Sequence, residues 1–167
     1  MMARAATAVI MSNGKLTSRR YAVNIGPPCR SPKYPAPLIG SRVMDRYPQL
    51  RIGTLEAGHS WLPFWMACLD EHAHSIAAAL PPLQHKSSDY VVSGRYFQSI
   101  EIPEGPHLTK TVIDLLGEDV LMYASDYPHG ESWFPKSVET VLGWDLPETA
   151  KRKLFWDNAV RFYARYR

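Results

Sequence analysis

The spacing of apolar residues predicts an alternation of strands and helices from residue 38 to the C-terminal end. Apolar and polar residues alternate over 50–56, and two β-branched or aromatic runs, 97–100 and 120–124, have the composition of buried strands. Apolar residues spaced three and four apart predict helices over five segments: 38–47, 61–80, 106–116, 135–142 and 147–156. Because helices separate successive strands, the order indicates an α/β fold with a parallel sheet.

Residues 1–34 lack such a period. Prolines at positions 27, 28 and 32 disfavour a helix or a central strand after Ile25, and only 21–25 fits a short strand. We therefore predict an irregular, basic N-terminal arm over 1–34, followed by one α/β domain over 35–167. Residues 1–51 contain nine Lys or Arg residues and a single acid. A basic arm can bind nucleic acid, but these cations are scattered and lack an aromatic platform, which disfavours that function.

The composition is that of an ordinary globular domain. The 167 residues are 46% hydrophobic and 21% charged, and their net charge is +3. No apolar run approaches the roughly 20 residues that span a bilayer, so the sequence predicts no membrane segment. The two cysteines, Cys29 and Cys68, match no metal or redox spacing. This cysteine usage agrees with a protein of the reducing cytoplasm.

Polar residues crowd the ends of two predicted strands. Ser125, Asp126 and His129 follow the strand at 120–124, and Glu56 and His59 follow the strand at 50–56. α/β folds place their chemistry at the carboxyl ends of parallel strands, so we predict that these residues face one cleft. The alternative is structural: Asp126 would cap a turn or the next helix, and the two histidines would bind backbone groups.

Three segments, in this order, resemble the amidohydrolase-2 family. They are LRIGTLEAGHSWLP at 50–63, YASDYPH at 123–129 and DNAVRFY at 157–163. The resemblance covers about residues 35–166. This branch of the amidohydrolase superfamily includes aminocarboxymuconate-semialdehyde decarboxylase and related metal-dependent decarboxylases and hydrolases.

The resemblance implies a TIM-type (β/α)8 barrel with a divalent metal, often zinc, at the carboxyl end of its strands. Asp126 matches the aspartate that ends the last strand, which in the family binds or borders the metal and handles the proton of the activated water. Glu56 occupies a position where many decarboxylase relatives carry histidine. By the same resemblance, Asp126, Glu56, His59 and His129 are the candidate catalytic residues, and Asp126 is the candidate metal ligand.

The family also carries a His-x-His pair on its first strand and a further histidine on a middle strand. This sequence has no His-x-His on a predicted strand, and no histidine precedes His59. Since a complete barrel takes about 250 residues, the chain resembles the C-terminal part of one, an incomplete barrel whose metal is weakly bound or absent.

Two functions follow. The first is a metal-dependent hydrolase or carboxy-lyase that acts on a small carboxylate or amide, and whether this chain turns over substrate by itself stays open. The second is a non-catalytic fragment or an interaction module with a basic arm. A fragment with an open sheet edge would form homo-oligomers.

Overall fold

The computed structural model describes residues 5–12, 15–16, 22–24, 39, 42–75, 82–129 and 132–164. In these residues one sheet contains six strands: β1 (Ala5–Ser12), β2 (Lys15–Leu16), β3 (Ala22–Asn24), β4 (Arg51–Leu55), β5 (Tyr96–Ser99) and β6 (Leu121–Met122). The strand order is β2-β1-β4-β5-β6, and β3 also pairs with β1.

Seven α-helices lie in the described residues: α1 (Val43–Arg46), α2 (Leu62–Ser75), α3 (Ser87–Tyr90), α4 (Gly105–Leu116), α5 (Ser137–Leu142), α6 (Glu148–Arg152) and α7 (Asn158–Tyr163). A π-type turn, Lys153–Asp157, joins α6 to α7. None of these described helices combines the length and the apolarity that a membrane span requires.

The strands β4, β5 and β6 are parallel, and helices connect them. Gly53 lies beside Phe97, and Gln98 lies beside Leu121. The connection from β4 to β5 contains α2 and α3, and the connection from β5 to β6 contains α4. The prediction of an α/β fold in which parallel strands alternate with helices is therefore confirmed.

The N-terminal region differs from its prediction. Where the sequence predicts an irregular arm, β1 and β2 form strands, and β1 runs antiparallel to β4 with Val9 opposite Gly53. The strand β3 lies within 21–25, the segment that fits a short strand in the sequence, and it pairs with β1. The sheet is therefore mixed. The other residues of 1–34 lie outside the described part of the chain. The sequence of β1 has no clear alternation of apolar and polar residues, and β propensity alone is a weak signal because it depends on context.

Hydrophobic side chains cover both faces of the parallel strands. On one face Ile52, Tyr96 and Leu121 belong to a buried cluster that includes residues of α2 and α4. On the other face Phe97 packs with Phe162 of α7, and their ring centroids are 5.3 Å apart. A Cβ at Gly53 would lie 2.8 Å from the Phe162 ring, so only glycine permits this close approach.

The C-terminal helices bind the outer edge of β6. On the inner edge, the carbonyls of Val120 and Met122 accept hydrogen bonds from the segment of β5. On the outer edge, Asn158 Nδ2 donates to Leu121 O at 2.8 Å, and Tyr123 N donates to Leu154 O at 2.8 Å. These backbone groups on both edges of β6 are thus hydrogen-bonded within the described part of the chain.

Candidate active site

A cleft of about 330 Å³ lies at the carboxyl ends of the three parallel strands. Its walls are Leu55 and Glu56 at the end of β4, residues 99–103 from the end of β5 onward, and residues 124–127, 129, 132 and 133 after β6. Every one of the three strands thus contributes to one opening, as the carboxyl ends of parallel strands do in α/β folds.

Three of the four residues singled out in the sequence meet in this cleft. His129 Nδ1 lies 2.8 Å from Asp126 Oδ1 and 3.9 Å from Glu56 Oε1. One potential ligand atom from each residue lies within 4.8 Å of the other two. The side chains of Asp126, Glu56 and His129 are 23%, 33% and 57% exposed, so they are accessible from solvent.

Both acidic residues of the cleft have an unusual backbone conformation. The φ angle is 58° at Glu56 and 56° at Asp126, in the left-handed region that L-residues rarely adopt. Aspartate tolerates this region better than glutamate, for which it costs about 1 kcal/mol. At each turn a hydrogen bond is present: Glu56 N donates to Ser99 Oγ at 3.1 Å, and His129 N donates to Asp126 O at 2.9 Å.

His59 lies outside the cleft, contrary to the interpretation that it faces the same opening. Its side chain is fully buried, with Nδ1 2.8 Å from Glu104 Oε2 and 3.1 Å from the backbone N–H of Glu101. Its Nε2 lies 2.9 Å from Thr109 Oγ1. Gly58, at φ 71°, turns the chain just before it. His59 therefore binds the backbone and a neighbouring helix, which is the structural alternative left open by the sequence.

Glu104 holds the same bend, and the sequence analysis did not single it out. Its Oε2 accepts the backbone N–H groups of His59 at 2.8 Å and of Ser60 at 2.9 Å, just before α2 begins. Burial raises the pKa of Glu104. The contact of its carboxylate with the His59 side chain and the hydrogen bonds from the backbone N–H groups of His59 and Ser60 outweigh burial, so the pKa lies below its ordinary value of 4.5. The sequence carries no signal for a contact between residues 45 positions apart.

The donor set of the cleft suits a divalent cation. Carboxylate oxygens and an imidazole nitrogen bind Mn²⁺, Fe²⁺ and Zn²⁺. In octahedral coordination at about 2.1 Å, adjacent ligand atoms lie about 3 Å apart and opposite ones about 4.2 Å apart. The distances from His129 Nδ1 to Asp126 Oδ1, 2.8 Å, and to Glu56 Oε1, 3.9 Å, are close to these two values. The described lining residues include the acidic side chains of Glu56, Glu101 and Asp126 and no Lys or Arg, a composition that favours cations over anions.

Residues 26–165 match a family model described as Amidohydrolase. Because the match covers most of the 167 residues, the chain belongs to the amidohydrolase family. The resemblance predicted from the sequence is thereby confirmed. A search of curated proteins produced no match.

Solved structures of decarboxylases share the fold. The 5-carboxyvanillate decarboxylase of Sphingomonas paucimobilis is 25% identical, with a TM-score of 0.70 over 89% of this chain and 44% of that one. The 5-carboxyvanillate decarboxylase of Novosphingobium aromaticivorans, solved with manganese and 4-hydroxy-3-methoxy-5-nitrobenzoic acid, is 26% identical, with a TM-score of 0.63 over 75% of this chain and 36% of that one. The chain thus spans about two-fifths of the length of these proteins.

Proposed function

We propose that this chain carries the C-terminal part of the catalytic barrel of a metal-dependent carboxy-lyase or hydrolase that acts on a small carboxylate or amide. The observation that carries the proposal is the convergence of Glu56, Asp126 and His129 in the cleft at the strand ends. Family membership and the decarboxylases of similar fold support the reaction class. The incomplete barrel rests on the share of those structures that the chain covers.

We assign the metal to Asp126, with Glu56 and His129 as its neighbours and further ligands. A bound divalent metal would polarise a substrate carboxylate or carbonyl, or lower the pKa of a bound water. Asp126 is the proton acceptor of this proposal, because its carboxylate lies in the cleft beside the His129 ring, with Oδ1 2.8 Å from Nδ1. The side chains of Ile100, Ile102 and Trp133 give the cleft an apolar wall against which the carbon skeleton of a small substrate would pack.

We propose manganese as the resident metal and zinc as the alternative. Manganese is present in the structure of the 5-carboxyvanillate decarboxylase of Novosphingobium. Two carboxylates and one histidine form an oxygen-rich donor set, which suits Mn²⁺ and which zinc also binds. Three protein ligands leave several coordination positions to other groups, so we expect weaker binding than in a complete family site.

The direct test is metal titration of the full chain by calorimetry with Mn²⁺ and with Zn²⁺. We expect one ion per chain, and we expect Asp126→Asn to weaken binding most, ahead of Glu56→Gln and His129→Gln. Glu148→Gln, which alters an exposed carboxylate far from the cleft, is the matched control. The absence of binding, or binding that Asp126→Asn leaves unchanged, would contradict the metal assignment.

The reaction class has a separate test. The chain loaded with Mn²⁺ is incubated with 5-carboxyvanillate and with 2,6-dihydroxybenzoate, and released CO₂ is measured. Turnover that Asp126→Asn abolishes would support a carboxy-lyase. Metal binding without turnover of these acids or of amide substrates would favour the alternative, a non-catalytic fragment that keeps a metal site. A location in the cytoplasm and a homo-oligomeric state stay predictions.

A further inference from the structure

The bend that follows β4 and begins with Glu56 is held by side chains of β5 and of the residues after it. Gln98 Nε2 donates to Gly58 O at 2.7 Å, and Glu104 accepts the N–H groups of His59 and Ser60. These contacts join two chain segments that lie about 40 residues apart in sequence. The direction in which Glu56 enters the cleft is therefore decided by side chains of β5 and of the residues after it.

Ser99 contacts the backbone of Glu56 itself. It is the last residue of β5, it lines the cleft, and its side chain is buried. Its Oγ accepts the backbone N–H of Glu56 at 3.1 Å. Glu56 adopts the left-handed conformation at φ 58°. A glutamate in this conformation relaxes to the ordinary region unless its surroundings hold it, and the Ser99 hydrogen bond acts on the N–H group of that same residue.

We infer that Ser99 is a positioning residue for the metal site, and that it acts by holding the Glu56 backbone so that the carboxylate points at Asp126 and His129. This inference rests on the metal assignment of the proposed function. If Ser99 only filled space, its hydroxyl would not need to accept the Glu56 N–H. Groups that orient the ligands of a metal change its affinity about 10- to 100-fold when they are removed.

The test compares Ser99→Ala with Ser99→Thr in the full chain. The alanine variant removes the acceptor and the threonine variant keeps a hydroxyl, so we expect the Kd for Mn²⁺ to rise about 10- to 100-fold in the first and to stay close to wild type in the second. Ser88→Ala is the control, because its hydroxyl binds Asp70 at 2.6 Å, away from the cleft. If Ser99→Ala fails to fold, Ser99→Cys keeps its volume with a weaker acceptor.

A second measurement separates positioning from general stability. Hydrogen exchange at the Glu56 amide should accelerate in Ser99→Ala and not in Ser88→Ala, while thermal unfolding reports any common loss of stability. Mn²⁺ binding that is normal in wild type and equally strong in Ser99→Ala overturns the positioning role and leaves the metal site in place. Wild-type chain that binds no Mn²⁺ overturns both.

Discussion

Replacement of Glu104 by glutamine tests whether a buried charge, rather than shape alone, holds the bend before α2. Glu104 Oε2 accepts two backbone N–H groups, those of His59 and Ser60, and the side chain is 22% exposed. Glutamine keeps the size and one acceptor oxygen but removes the charge. The variant therefore preserves the geometry and weakens both hydrogen bonds.

The size of the effect follows from the two bonds. Hydrogen bonds to a charged group contribute about 1.5–3 kcal/mol each, against about 0.5–1.5 kcal/mol between neutral groups. Removing the charge from both hydrogen bonds would thus lower the free energy of unfolding by about 3 kcal/mol if nothing opposed it. Burial of the carboxylate opposes part of this gain, and solvent screens another part. We therefore expect Glu104→Gln to lower the free energy of unfolding by about 1–2 kcal/mol at pH 7.

The effect should depend on pH in a defined direction. Because the folded pKa of Glu104 lies below 4.5, the charge stabilises the fold fully above about pH 4.5, and this contribution disappears as the pH falls through the folded pKa. The difference between wild type and Glu104→Gln should shrink over that range, since protonated glutamate resembles glutamine.

Urea unfolding followed by circular dichroism at pH 7, 5 and 4 measures this difference. Glu148→Gln, at an exposed carboxylate, is the control for general effects of charge. A destabilisation by Glu104→Gln that is the same at pH 7 and pH 4 would refute the role of the charge. No destabilisation at pH 7 would show that a neutral acceptor holds the two N–H groups as well as the carboxylate does.

Two further variants test the packing that supports the cleft. Phe162→Ala should lower the free energy of unfolding by about 3–5 kcal/mol in the same assay, because the buried ring fills the space between Gly53 and Phe97, and a loss below about 1 kcal/mol would contradict this. Asn158→Ala should lower the free energy of unfolding by about 1–3 kcal/mol, because the carbonyls of Glu118 and Leu121 lose their donor. An unchanged urea midpoint would mean that these two hydrogen bonds do not stabilise the fold.

Much of the architecture was predictable from the spacing of apolar residues. The strand predicted at 50–56 is β4, Arg51–Leu55, and the helix predicted at 106–116 is α4, Gly105–Leu116. The helix predicted at 61–80 agrees with α2, Leu62–Ser75, and its residues 76–80 lie outside the described part of the chain. The prediction from periodicity succeeds here because each element buries one face or is buried entirely, and the buried positions are apolar at a regular spacing.

Asn158 shows what local rules cannot anticipate. Asparagine near the start of a helix is commonly a cap. In the structure its side chain is buried, and it donates to Glu118 O and Leu121 O, nearly 40 residues earlier. Local rules of capping cannot anticipate a carbonyl from another strand, because the edge that needs a donor exists only after the sheet has formed.

The sequence by itself determined the class of fold, the family, and the two strand ends at which Glu56 and Asp126 stand, because these depend on local periodicity and on motifs within short segments. Only the tertiary structure decided that His129 joins the two carboxylates while His59 turns inward. It alone also decided that Ser99 and Glu104 hold the bend. These outcomes depend on backbone angles at a few turn residues and on contacts across more than 40 positions, which no local pattern encodes.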